Sequence, residues 1–82
     1  MTHRFKIPTR VRLDQQKRPQ AFTMGEAWVH VAEVIDRWIL DTLWWSKDGR
    51  VCRHYFTIMT SWYGIYELYW QEGAWYLSGR LD

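Results

Sequence analysis

The chain has a single cysteine, Cys52, so no disulfide can form within it and cross-links contribute nothing to its stability. No stretch approaches the roughly 18–20 consecutive apolar residues of a membrane-spanning helix, and no basic start followed by an apolar run marks a secretory signal. The expectation is a soluble, cytoplasmic protein with no membrane partner. Glycine and proline are sparse, five and two, and no glycine-rich phosphate loop, nucleophile elbow or zinc-protease motif is present. Neither an internal repeat nor a low-complexity segment is evident. Eighty-two residues suffice for one domain. A chain this short buries only about 60% of the surface it exposes when unfolded, so its few core positions must be productive. Aromatic side chains supply that mass: seven Trp, five Tyr and three Phe. Each can bury roughly 150–250 Å².

Charge is unevenly distributed. Residues 1–18 carry Arg4, Lys6, Arg10, Arg12, Lys17 and Arg18 against the single acid Asp14, while the remainder holds more acids than bases. A basic arm on a mildly acidic body suggests an anionic partner, nucleic acid first, because each phosphate contact gains from counterion release. The competing reading is that these cations keep an exposed strand soluble and unpaired.

The pattern along the chain is β-like. Residues 1–8 read as a flexible basic lead-in and 9–82 as the domain proper. Thr9 to Asp14 alternates, with Val11 and Leu13 on one side and Arg10, Arg12 and Asp14 on the other. Gln15 to Pro19 is a polar turn, Gln20 to Met24 a short strand with Phe22 and Met24 on one face, and Gly25-Glu26 a tight turn. From Ala27 to Leu43 two periods compete. Trp28, Val31, Ala32, Ile35, Trp38 and Ile39 fall at helical spacings, yet the β-branched residues Val29, Val31, Val34 and Ile35 favour a strand. A bent strand with a short helical turn near residues 33–38 accommodates both. Ser46 to Gly49 then signals a turn, Val51 to Ser61 a long strand, and Gly64 and Glu72-Gly73 two further reversals. The fold class that follows is all-β: a small, half-open antiparallel barrel of five or six strands, of SH3-like size. Trp28, Trp38, Phe56, Leu68 and Trp75 are the expected ring and aliphatic core.

Little points to catalysis. Cys52 and His54 share a strand face, with His30 and His3 elsewhere, but a structural zinc site takes four ligands at recognisable spacings. Cys52 or Ser61 with His30 or His54 and Asp36 would compose a nucleophilic set only if the fold brought them together. Glu33 and Asp36 share a face only if their segment is helical, and otherwise read as a solvated acidic edge. The expectation is a protein that is not an enzyme, with no metal and no cofactor. Seven Trp exceed what a core of this size holds, so some rings should be exposed. Trp62 and Tyr63, before Gly64 at a hairpin tip, are the expected exposed pair, placed to stack on unpaired bases while Arg10, Arg12, Lys17 and Arg18 contact phosphates. In the alternative, exposed rings such as Trp44 and Trp45 anchor a protein partner or a second copy, since adjacent strand residues point to opposite faces.

The series Val31, Glu33-Val34, Asp36-Arg37-Trp38, Asp41, Trp44-Trp45, Arg53, Tyr55-Phe56, Thr60, Glu67-Leu68-Tyr69, Gly73, Trp75-Tyr76-Leu77, Arg80 and Asp82 resembles a small uncharacterised bacterial domain. That domain is found alone or at the C-terminus of ImuB, the Y-family-polymerase-like accessory protein of mutagenic translesion synthesis. The likeness covers about Thr9 to Asp82. It implies a noncatalytic module near DNA-damage tolerance and DNA repair, contacting DNA or recruiting a repair or replication partner, with no catalytic residue to carry over. This chain departs from the fused arrangement, since no polymerase domain precedes these residues, and the resemblance then implies action in trans. The tip Thr60 to Gly64 is also bulkier than the polar turn expected there.

Overall fold

The computed structural model of the chain describes residues 6–42 and 51–81. Within them run β1 (Ile7–Thr9), β2 (Val11–Leu13), β3 (Pro19–Met24), β4 (Ala27–Thr42), β5 (Val51–Thr60), β6 (Ile65–Gln71) and β7 (Ala74–Arg80). All pairings are antiparallel, in the order β1-β7-β6-β5-β4-β3-β2. The all-β, half-open barrel is therefore the fold, with seven strands where the sequence suggested five or six. The excess arises at the N-terminal end. Ile7 and Pro8, read from sequence as lead-in, pair with Leu77 and Tyr76, and the strand expected from Thr9 onward is broken at Arg10 into β1 and β2.

That break curls the sheet. β1 extends the β7 edge while β2 extends the β3 edge, so one short stretch of chain ties together the two ends of the sheet. Thr9 and Thr23 fasten the seam. The Thr9 hydroxyl donates to the Thr23 carbonyl at 2.7 Å, the Arg10 N–H donates to Thr23 Oγ1 at 2.9 Å, and the Thr23 N–H donates to the Arg10 carbonyl at 2.9 Å. Both threonines are buried, so these bonds satisfy groups that would otherwise be costly to desolvate.

The segment with two competing periods is one strand without a helical turn. Register shifts between Val31 and Glu33 and between Val34 and Asp36 insert residues on the β4 side of its pairing with β5. Each such bulge advances the side-chain phase by one, and two bulges in a row imitate a helical spacing. They also bend β4, so that Ala27 to His30 pairs with β3 and Val31 to Thr42 with β5.

Two tight hairpins set the rest of the register. Gly25 at φ +64° opens the β3–β4 turn, and Glu72 at +51° with Gly73 at +82° forms the β6–β7 turn, whose two left-handed residues match the twist of the strands they join. Phe22, Val29, Ile58, Tyr66, Leu68 and Leu77 form the buried core, with Val11, Met24, Val31, Val34, Phe56 and Trp75 packed around it. Leu68, Phe56 and Trp75 thus lie where the sequence placed them, in or against the core. Trp28 and Trp38 do not: both are exposed.

Candidate functional site

The hairpin register explains why Trp28 is outside. Phe22 stands opposite Val29 and Thr23 opposite Trp28. Phe22 and Val29 point into the core, so alternation turns Thr23 and Trp28 to the other face. On that outer face Arg12, Ala21 and His30 form one cross-strand row, and Arg10, Thr23 and Trp28 form the next. The small Ala21 and Thr23 in the middle strand let the long arginines of the β2 side reach across to the indole. The Arg12 guanidinium carbon lies 4.3 Å from the Trp28 ring centroid and that of Arg10 lies 5.6 Å away. Such contacts contribute about 0.5–1 kcal/mol each when exposed, and they order two cations that would otherwise sample many rotamers. Arg10, Arg12 and His30 are exposed, and Trp28 keeps 36% of its surface in solvent.

The turn expected to carry exposed rings lies beside this patch. Ser61 N–H donates to the His30 carbonyl at 3.2 Å, which docks the β5–β6 turn against β4 two positions from Trp28. Trp62 is 50% exposed and Tyr63 76%, as the sequence indicated. The turn is tightly built. Thr60 N–H donates to the Gly64 carbonyl, Gly64 N–H donates to the Thr60 hydroxyl, and Tyr63 adopts a left-handed φ of +71°. A Cβ on Gly64 would stand 2.8 Å from Trp62 Nε1 and 3.0 Å from Tyr66 Cε2, so glycine is what allows the indole to fold back over the turn.

The other two cations are placed differently. Asp14 caps the β2–β3 turn, accepting from the N–H groups of Gln16 at 2.8 Å and Arg18 at 2.9 Å and from Arg18 Nε at 3.3 Å. The Arg18 N–H is the chief cause that holds the Asp14 carboxyl below its ordinary range; desolvation, next in size, opposes it, and the Gln16 N–H and the Arg18 guanidinium add to the lowering. Arg18 is thus partly neutralised, whereas Arg10 and Arg12 face an indole. Lys17, left-handed at φ +61°, borders an apolar groove of about 330 Å³ formed with Leu13, His54, Phe56, Trp70 and Trp75. The fold therefore brings Arg10 and Arg12 together and leaves Lys17 and Arg18 on a separate turn. Trp44 and Trp45, the expected interface rings, lie outside the described residues.

A second aromatic array crosses the sheet. Trp38, Tyr55, Tyr69 and Tyr76 occupy directly opposed positions on β4, β5, β6 and β7, with successive ring centroids 5.1, 5.3 and 5.2 Å apart. Arg53 lies over Tyr69 at 5.0 Å and donates to the Tyr55 hydroxyl and to Gln71 Oε1. Burial pushes the Tyr69 phenol up, and the Arg53 charge partly offsets it. Tyr55 and Tyr69 are buried and Tyr76 is half-buried beneath Lys6, so the array stiffens the sheet and is most exposed at Trp38.

The groups weighed for other chemistry stay apart or incomplete. Cys52 Sγ lies 3.9 Å from His54 Nε2, but among the described residues no group of three His, Cys, Asp or Glu side chains could hold a metal ion. Ser61 meets His30 through the backbone. Asp36 is exposed and accepts from the Arg37 N–H at 2.8 Å, while Glu33, on the far side of a bulge, is solvated. Among the described residues no helix is long and apolar enough to cross a membrane. No protein-family model, curated protein or solved structure matches the chain.

Proposed function

We propose that the chain is a noncatalytic nucleic-acid-binding module whose contact surface is centred on Arg10, Arg12 and Trp28. The observation that carries this reading is the pair of guanidiniums gathered over one half-open indole on a rigid three-strand face. Arginine supplies charge and planar donors to phosphate oxygens, and an indole offers a π-face on which an unpaired base can stack, at about 1–3 kcal/mol per base. Trp62 and Tyr63, on the turn docked beside His30, extend the stacking surface. Lys17 and Arg18 contribute longer-range attraction from the neighbouring turn, Arg18 the less because Asp14 pairs with it. Nothing in this arrangement reads base edges, so single strands of mixed sequence are the proposed ligand. A place in DNA-damage tolerance rests on the resemblance alone. The test is titration of wild-type and Trp28→Ala protein with a single-stranded oligonucleotide. Weaker binding by the variant, with unchanged salt dependence, supports stacking on Trp28; equal affinity removes Trp28 from the surface.

A further inference from the structure

We propose that the open mouth of the barrel, lined by Leu13, Lys17, His54, Phe56, Trp70 and Trp75, is a binding site for a small aromatic carboxylate. The Thr9–Thr23 seam fastens the β2–β3 hairpin to the sheet at one end, and the mouth lies toward the other, where the hairpin's turn carries Lys17. Register sets its wall. Phe56, Leu68 and Leu77 are opposed across β5, β6 and β7 in or against the core, and the next row on the same face is His54, Trp70 and Trp75. That row lies just beyond the core: Trp70 is exposed, and His54 and Trp75 are half-buried. Leu13 and Lys17, both exposed, complete the groove from the hairpin side. Mouths of β-barrels commonly hold small ligands, and about 330 Å³ is at the small end for such sites, room for one or two fused rings.

The lining selects the ligand. The His54 and Trp70 rings meet edge to face, at 77° with centroids 5.5 Å apart, and those of Phe56 and Trp75 are tilted at 43° with centroids 5.6 Å apart. Walls at such angles offer a flat ring both a face to stack on and an edge to meet, whereas an aliphatic chain gains only from the area it covers. The polar groups are chiefly donors: the Lys17 ammonium, two indole N–H groups and one nitrogen of a neutral His54. Among the described residues no carboxylate or amide side chain lines the groove. Lys17 is also uncommitted. Its N–H donates to the Asp14 carbonyl at 3.0 Å, which fixes the turn, but Asp14, the only acid there, pairs with Arg18, and among the described residues the Lys17 ammonium has no partner. One unpaired cation beside a ring-walled, donor-rich groove suits a singly charged carboxylate on an aromatic ring better than a phosphate, which carries nearly twice the charge. Alternation along β2 puts Arg12 on the outer face and Leu13 in the mouth, so this site is separate from the Trp28 face and does not depend on that face binding nucleic acid.

The test is titration of the full chain with 2-naphthoate and, separately, with uncharged 2-naphthalenemethanol, followed by nuclear magnetic resonance of the indole N–H signals, with Trp70→Phe and Trp75→Phe assigning those two. The expected result is a saturable shift of the Trp70 and Trp75 signals by naphthoate, with Trp28 and Trp62 unmoved and weaker binding of the alcohol. Lys17→Met should weaken naphthoate roughly three- to tenfold and leave the alcohol unchanged, since it removes one exposed charged contact and keeps the stem. If that variant fails to fold, Lys17→Gly removes the same charge and suits the left-handed φ of +61°. Absence of saturation up to millimolar naphthoate, shifts spread over all the indoles, or equal binding of acid and alcohol would each overturn the proposal. So would a lysine variant that binds naphthoate as tightly as the wild type. A single-stranded oligonucleotide that moves the Trp70 and Trp75 signals where naphthoate does not would overturn it too, and would make the mouth part of the nucleic-acid surface.

Discussion

Replacing Arg10 and Arg12 together by alanine removes the two guanidiniums over Trp28 while leaving the seam intact, because Arg10 joins Thr23 through its backbone N–H and carbonyl. The fold should tolerate the change. Two exposed cation–π contacts are worth about 0.5–1 kcal/mol each, well below the stability of an ordinary domain. Binding should not tolerate it. On a single strand each neutralised phosphate contributes about 0.7 to the slope of log affinity against log salt, so two contacts contribute about 1.4. Between about 50 and 200 mM salt the wild type should then lose about sevenfold more affinity than the double variant. Fluorescence or anisotropy titration with a single-stranded oligonucleotide at four salt concentrations reads this directly. Arg18→Ala should change the slope less, since its Nε already lies 3.3 Å from an Asp14 carboxylate oxygen. Unchanged affinity and slope in the double variant would refute the reasoning and leave the two arginines as guards of an exposed strand.

Four further outcomes follow from the packing and the ionisable groups. Phe22→Ala should cost about 3–5 kcal/mol in urea unfolding, as Phe22 is fully buried at the centre of the core. Gly64→Ala should also destabilise, because its Cβ meets the Trp62 and Tyr66 rings, and Trp62→Ala in the same chain should recover part of the loss in melting temperature. Asp14 has a lowered carboxyl pKa in the folded chain. Its capping therefore stabilises above the unfolded-state value and is lost as pH falls through the folded one, so the melting temperatures of wild type and Asp14→Asn should converge on acidification. Tyr69 behaves oppositely. Its raised phenol pKa keeps the folded form protonated, so its contribution is complete below the ordinary tyrosine range and disappears as pH rises through the folded value; alkaline spectrophotometric titration should find a late phenol that Tyr69→Phe removes.

The strands were legible where one period ruled. Val51 to Thr60, Ile65 to Gln71 and Ala74 to Arg80 follow from alternation punctuated by Gly64 and Glu72-Gly73. β4 was harder because its two bulges change phase inside one strand, and a bulge leaves in sequence only the broken alternation that a helical turn would also leave. The exposure of Trp62 and Tyr63 was readable from their place at a hairpin tip. That of Trp28 was readable too, through the Gly25-Glu26 turn, which sets Thr23 opposite Trp28 and so turns the indole away from Phe22. Size alone argued for burying it. The gathering of Arg10 and Arg12 over that indole depends on Ala21 and Thr23 lying between, a cross-strand relation that no local window contains. The aromatic row from Trp38 to Tyr76 needs four strands in register and was invisible for the same reason.

The central claim, that the Arg10, Arg12 and Trp28 face binds nucleic acid, is tested most directly by titrating the purified protein with single-stranded and duplex oligonucleotides while following its native tryptophan fluorescence, first at low salt and then at physiological salt. The expected result is quenching by single strands, weaker response to duplex, and a steep loss of affinity as salt rises. No change in fluorescence at low salt, where phosphate contacts are strongest, would contradict it.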